Sequence, residues 1–238
     1  MDGGPVWQRI RDTLRTEIET GRYETGARLP SEAELSRRFA VNRHTVRRAL
    51  ADLAEAGTIH VRKGAGAFVM APRMAYPLGR RTRFSRNISE IGREARSERL
   101  RIETVAADAR EAEALGMAKG APVVVTESVN YADEVPVSYA RSVFPVEPLP
   151  GLAEALATLG SVTAALTACG VEDYIRASTR LIAERAEPLA ARHLAIQPGA
   201  PVLHAIAINT DGTGRPVEYG RTWFAGDRVE LTVEPHRF

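Results

Sequence analysis

Cysteine is almost absent from this chain. Cys169 stands alone, so neither an intrachain disulfide nor a cysteine zinc cluster is available. The expected compartment is accordingly a reducing cytoplasm. Lysine is nearly as scarce: of the 32 basic residues only Lys63 and Lys119 are lysines. The others are arginines, whose planar fork grips phosphates and guanine edges. No apolar run approaches the roughly 20 residues that cross a bilayer. The opening Met1-Asp2-Gly3-Gly4-Pro5 has no basic-then-apolar signal pattern, so no membrane partner is expected. Enzyme signatures are missing too. There is no Gly-x-Ser-x-Gly elbow, no His-x-x-x-His metal pair and no cysteine beside a local histidine. His193 and His204 read as structural, and Asp133 and Glu134 as solvated turn residues. Gly64-Ala65-Gly66-Ala67 lacks the Gly-Lys-Ser/Thr continuation of a nucleotide phosphate loop. No catalytic residue, metal or cofactor is therefore expected, and a binding module explains the sequence better than catalysis.

What is present suffices for two modest domains in 238 residues. A net charge of +2 argues nothing by itself; position does. Val6, Ile10, Leu14 and Ile18, with Trp7 beside them, form one apolar stripe of a helix that stops near Gly21. Leu29-Pro30 blocks continuation, and Ser31-Glu32-Ala33-Glu34 is a capping box opening a second, short helix. Ala40-Val41 make a tight turn and Asn42 caps a third helix. Val46, Ala49, Leu50, Leu53 and Ala54 give that helix its inner face; Arg43, His44 and Thr45 lie in its first turn, with Arg47 one turn on. Gly57 ends it. Two short strands at 58 to 61 and 67 to 69 then flank the basic, glycine-rich tip Arg62-Lys63-Gly64-Ala65-Gly66.

Helix, turn, helix and wing point to DNA, because the second helix of such a motif offers its N-terminal residues to base edges. Asn42, Arg43, Thr45 and Arg47 suit phosphate or base contact, and Gly64 and Gly66 let the wing backbone come close. The bland alternative is a three-helix bundle with a surface hairpin. An acidic counterpart at the start of the third helix would favour it, and none stands there in the sequence.

Leu29-Pro30-Ser31-Glu32, the run from Arg43 to Leu50 and the wing from Gly57 to Val69 resemble the winged helix of GntR-family bacterial transcription regulators. That resemblance implies a mainly α fold with a β-wing and double-stranded DNA as partner. It implies DNA contacts at Ser31, Asn42, Arg43, Thr45, Arg47, Lys63 and Gly64. Ala33 departs from members carrying Arg there. The expected boundaries are 1-70 for the DNA-binding domain, 71-80 for a linker broken by Pro72 and Pro77, and 81-238 for a second domain.

That second domain contains an internal repeat. Ala112-Glu113-Ala114-Leu115-Gly116-Met117 and Gly120-Ala121-Pro122-Val123 recur as Ala191-Arg192-His193-Leu194-Ala195-Ile196 and Gly199-Ala200-Pro201-Val202. Tyr139, Arg141 and Phe144 match Tyr219, Arg221 and Phe224. Each copy reads as a short helix, a break and a strand hairpin. Further strands are expected at 100 to 107, 174 to 183 and 229 to 233, and helices at 152 to 159 and 162 to 169. Hairpins with segregated helices imply an α+β fold with a mainly antiparallel sheet.

The run from Tyr76 to Ser85 and the repeat are similar to the effector domain of the HutC branch of the GntR family, and to PhnF-type regulators associated with phosphonate or phosphate metabolism. This domain, UTRA, shares the chorismate-lyase fold without its activity. The resemblance implies a homodimer binding a small-molecule effector. It implies effector contacts at Phe84, Ser85, Ser128, Asn130, Ser161, Thr163, Glu218 and Phe224. Sugar-phosphate binders of the family have arginines at Ser128 and Asn130 and a glutamate at Ala140, which argues against an amino-sugar phosphate here. Arg83, Arg141 and the amides at the Ser161 helix start could hold an anion instead. The expectation is a ligand-responsive repressor binding an inverted-repeat operator. The alternatives are a chorismate-lyase-type enzyme fused to a DNA-binding head, and an architectural DNA binder without ligand.

Overall fold

The four-residue spacing of apolar side chains produces the first helix. In a computed structural model describing residues 4–62, 64–70 and 73–233, α1 spans Val6–Glu19 and buries Ile10 and Leu14. Val6, expected on that stripe, is half exposed as the first helical residue. Trp7 packs on the core, with the guanidinium of Arg48 4.5 Å from its ring centre. Helix α2 is Glu32–Phe39, and its capping box forms as the sequence requires. Ala40 then adopts the left-handed conformation at φ 54°, which turns the chain into α3, Arg43–Glu55. Its buried face is Val46, Ala49, Leu50 and Leu53. Strands β1, Ile59–Arg62, and β2, Gly66–Val69, pair antiparallel as the wing. Arg28 adds an unanticipated isolated β-bridge to Phe68 of the wing: the Leu29 amide donates to the Ala67 carbonyl at 2.8 Å, and the Val69 amide to Ala27 at 2.9 Å. Leu14, Leu29, Leu35, Leu53 and Ile59 are fully enclosed in this first core, each contributing roughly 1.5–3 kcal/mol by burial.

The chain divides into two units between Arg73 and Met74. This corrects the expected linker at 71-80. Met74–Leu78 is a strand, β3, because Met74, Tyr76 and Leu78 alternate inward into an apolar cluster of the second unit. Pro77 hides that alternation, yet β3 has a single strand partner and so tolerates a residue without an amide proton. The elements that follow are α4 (Phe84–Glu90), β4 (Ala95–Ala106), α5 (Ala109–Leu115), β5 (Pro122–Ala132) and β6 (Val135–Pro145). Then come α6 (Leu152–Leu159), α7 (Val162–Ala168), β7 (Tyr174–Arg185), α8 (Pro188–His193), β8 (Pro201–Asp211), β9 (Pro216–Ala225) and β10 (Val229–Val233). Strand β10 runs parallel to β3. The other six form one antiparallel sheet, ordered β4-β5-β6-β9-β8-β7.

The sequence repeat is the symmetry of this sheet. One copy supplies β4, β5 and β6, the other β7, β8 and β9, and they meet along β6 and β9. At that seam Arg141 pairs in register with Arg221, its own counterpart in the repeat. Like charges directly opposite are unfavourable. The seam relieves this locally: Arg141 pairs with Glu111 of α5 at 2.7 Å, and Arg221 lies 4.9 Å over the Trp223 ring. Both edge strands carry a bulge, β4 between Arg99 and Arg101 and β7 between Arg176 and Ser178.

The β8–β9 turn is held by one carboxylate. Asp211 accepts from the Thr213 amide (2.9 Å) and hydroxyl (2.7 Å), and from the Arg215 amide (3.0 Å). Burial pushes this carboxyl up, but those donors outweigh it and hold it at about 2. Its stabilisation is therefore present above the ordinary aspartate value of about 3.9 and is lost as pH falls toward 2. Asp211→Ala should lower the unfolding free energy by roughly 1–3 kcal/mol. In thermal melts the gap between wild type and Asp211→Ala should narrow on acidification; a gap independent of pH would contradict this account.

Candidate nucleic-acid interface and effector cavity

Ser31 and Asn42 head α2 and α3, and each is engaged by its own helix. The Ser31 hydroxyl accepts from the Glu34 amide at 3.3 Å and donates to the Glu34 carboxylate at 2.6 Å. Asn42 Oδ1 accepts from the Thr45 amide at 2.8 Å and the Thr45 hydroxyl at 3.0 Å. These contacts fix where the free amides of both helix starts point. Asn42 Nδ2 and the exposed Arg43 side chain have no hydrogen-bond partner among the described residues. Gly64 takes φ +79° and Gly66 φ +108° in the wing, conformations open to glycine. The Arg28 guanidinium lies so close over Gly66 that a Cβ there would meet its Nε at 2.8 Å. Lys63 lies outside the described residues.

The sequence shows no acid at the start of α3, but the fold brings one from α2. Glu32 takes a fork from Arg47, with Nε to Oε1 at 3.1 Å and Nη2 to Oε2 at 2.8 Å. That fork, aided by the charges of Arg43 and His44, holds the Glu32 carboxyl below the usual range. The pair is largely exposed, so its stabilisation is small; its effect is to orient Arg47.

In the second unit a cavity of about 370 Å³ opens on one face of the six-stranded sheet. Strand alternation decides which residues it receives. Ser128 and Asn130 of β5 face it, as do Glu218 and Phe224 of β9. Arg83, Phe84 and Ser85 reach it from the start of α4, and Ser161 and Thr163 from the start of α7. Arg141 does not. Its neighbours Ala140 and Ser142 point into the cavity, so Arg141 points to the opposite face, where Glu111 holds it. This corrects its expected place beside an anion.

The cavity contains further side chains that the sequence reading missed. Arg99 of β4, Arg176 of β7, Asn209 of β8 and Ser142 of β6 all line it. Glu218, buried, accepts from Ser142 at 2.6 Å and from Asn209 at 2.6 Å, while Arg176 donates to Asn209 at 3.3 Å. Asn130 donates to Ser138 at 3.1 Å and accepts from Ser97 at 2.8 Å. Arg83 pairs with Asp173 at 2.9 Å and lies 5.0 Å over the Tyr174 ring, and its buried Nε has no hydrogen-bond partner among the described residues. Burial raises the Tyr174 hydroxyl and pushes Tyr76 up to about 12, so both stay protonated. Arginines, hydroxyls and one carboxylate make a wall suited to a small polar molecule. No cluster able to hold a metal occurs among the described residues.

A winged helix with arginines at the start of its third helix, followed by a separate domain with a polar cavity, is the arrangement of a transcription regulator. Bacterial regulatory proteins of the gntR family match residues 7–69, and the UTRA domain matches residues 90–230. The chain belongs to the GntR family and carries a UTRA domain, the arrangement of the HutC branch; it is a regulator and not an enzyme. An HTH-type transcriptional regulator of Rhizobium meliloti (strain 1021) is 42% identical over 98% of this chain and 96% of its own. The protein named "Probable transcriptional regulator PhnF" of Escherichia coli (strain K12) is 30% identical over 96% of this chain and 94% of its own. The crystal structure of PhnF from Mycobacterium smegmatis superposes with a TM-score of 0.64 at 26% identity, covering 96% of this chain and 100% of that one. Among the described residues no helix is long and apolar enough to cross a membrane.

The cap made by Asn42 and its expected DNA contact separate by substitution. Asn42→Ala should cost roughly 0.5–2 kcal/mol of stability through the lost cap, whereas Asn42→Asp caps equally well. Asn42→Asp should keep the melting temperature and weaken DNA binding, because it adds a negative charge at the reading face. Unchanged DNA affinity in Asn42→Asp would remove Asn42 from the interface.

Proposed function

We propose that this regulator is a cytoplasmic homodimeric repressor that binds an inverted-repeat operator and releases it when a small anionic metabolite fills the UTRA cavity. The observation that carries the effector half is the cavity wall itself. Arg83, Arg86, Arg99 and Arg176 line it with the carboxylate Glu218; Asp173 and Glu90 answer Arg83 and Arg86 from outside the wall, so Arg99 and Arg176 are left without an ion pair among the described residues. Such a balance favours a phosphate, phosphonate or carboxylate. Ser128, Asn130 and Ala140 stand where amino-sugar-phosphate binders of the family are expected to carry charged residues, which supports a different anion. The PhnF-type relatives are compatible with a phosphate or phosphonate group. On the DNA half, Ser31 and Asn42 set the two helix starts, Arg43, Thr45 and Arg47 read bases and phosphates, and the wing at Gly64 follows the backbone. Two heads on half-sites of a palindrome account for an inverted repeat.

Arg43→Ala and Arg47→Ala should each cost roughly 1–3 kcal/mol of specific operator binding if they contact bases. Fluorescence anisotropy with operator duplex measures this, and wild-type affinity in both variants would remove the reading-face assignment. For the effector, thermal shift across phosphates, phosphonates and sugar phosphates is the test. A ligand of the folded state at a hundred times its Kd stabilises by about 2.7 kcal/mol. The absence of any shift would contradict an anionic effector.

A further inference from the structure

The arginines of the sheet and cavity differ in how their charges are met. On β4, Arg96 pairs with Glu134 at 3.0 Å, and Arg101 pairs with Glu103 and Glu127. Around the cavity, Arg83 pairs with Asp173 and Arg86 with Glu90. Arg176 leans on Asn209, which itself donates to Glu218. Arg99 has no carboxylate among the described residues. Its one hydrogen bond is to the Gly160 carbonyl at 3.3 Å.

The backbone sets Arg99 apart. Strand alternation up to residue 99 sends Ser97 and Arg99 to the cavity face. The bulge at Leu100 then resets the phase, so Arg101 falls on the opposite face among Glu103 and Glu127. Beside Arg99 in the ladder stands Ser128, then Ala140 on β6 and Thr222 on β9. All three line the cavity and none is large, so the floor next to the guanidinium is open.

We propose that Arg99 is the anion anchor of this cavity, and that its effector carries a phosphate, phosphonate or carboxylate at the Arg99 end and hydrogen-bond donors toward Glu218. The inference rests on the ligand-sensing reading above and gives it a residue and a ligand chemistry. Burial already pushes the Arg99 guanidinium down, so the site holds a partly desolvated cation that an entering anion would satisfy. Glu218, pinned by Ser142 and Asn209, keeps acceptor capacity for a hydroxyl or ammonium of the ligand. Family members with an arginine at the Ser128 position would place that charge one strand further in. Here the neighbouring strand supplies it.

Calorimetric titration of the full chain with inorganic phosphate, glycerol 3-phosphate and 2-aminoethylphosphonate is the test, with Arg99→Gln, Arg99→Lys and Ser128→Asp as variants. Ser128→Asp hands Arg99 an internal carboxylate without removing it. The expected result is binding by wild type of at least one of the two bifunctional probes more tightly than inorganic phosphate. Arg99→Gln and Ser128→Asp should each weaken that binding about tenfold or more, the equivalent of 1.4 kcal/mol, and Arg99→Lys less. Ser128→Asp decides the matter if Arg99→Gln melts early. Wild-type binding undiminished in Ser128→Asp and in folded Arg99→Gln overturns the anchor and leaves the sensor reading standing. Inorganic phosphate binding as tightly as both bifunctional probes overturns the role given to Glu218. No binding of any probe to wild type overturns the anionic-effector reading and the anchor together.

Discussion

The pairing of β6 with β9 is the constraint on which the effector domain depends. Each repeat copy delivers three strands and cannot cover its own inner edge; the two edges cover each other, with Arg141 opposite Arg221 at the centre. Once that register is set, strand alternation assigns every side chain to one of two faces. One face receives Ala140, Ser142, Gly220 and Thr222, small enough to leave a cavity over the middle of the sheet. The other receives the two arginines and the stack of Tyr139, Trp223 and His204. A slip of one residue would turn one strand over against the other and carry one of the two arginines to the cavity face.

The DNA-binding unit is built by shorter-range means. Its helix starts are fixed by side chains three residues from their targets, Ser31 to Glu34 and Asn42 to Thr45. Such local caps are visible in sequence, and so are all three helices and the wing. Two longer-range features are not. The Glu32–Arg47 fork joins residues on different helices, and the single β-bridge of Arg28 to Phe68 has no alternation to announce it. Both need the packing of Leu35, Val46 and Leu53 to be known first.

In the effector domain the repeat made the hairpins legible, and eight of the residues that line the cavity, Phe84 and Ser128 among them, were named by the family resemblance. What failed has identifiable physical causes. Pro77 masked the alternation of β3. The expectation of Arg141 beside an anion fails because Ala140 faces the cavity and adjacent strand residues face opposite ways. Arg99 was passed over because a bulge changes the phase within its strand, and a bulge leaves no reliable mark in a run such as Arg99-Leu100-Arg101.

The central claim is that occupation of the cavity and affinity for DNA are one linked equilibrium. Linkage requires the change to be reciprocal: a ligand that weakens DNA binding by some factor must itself bind the DNA complex more weakly by the same factor. The direct measurement is a pair of titrations on the full chain, using a duplex selected by the protein from random sequence and an anion that raises its melting temperature. The account predicts that the anion lowers DNA affinity about fivefold or more, and that DNA lowers anion affinity equally. An anion that binds the cavity and leaves DNA affinity unchanged would contradict it.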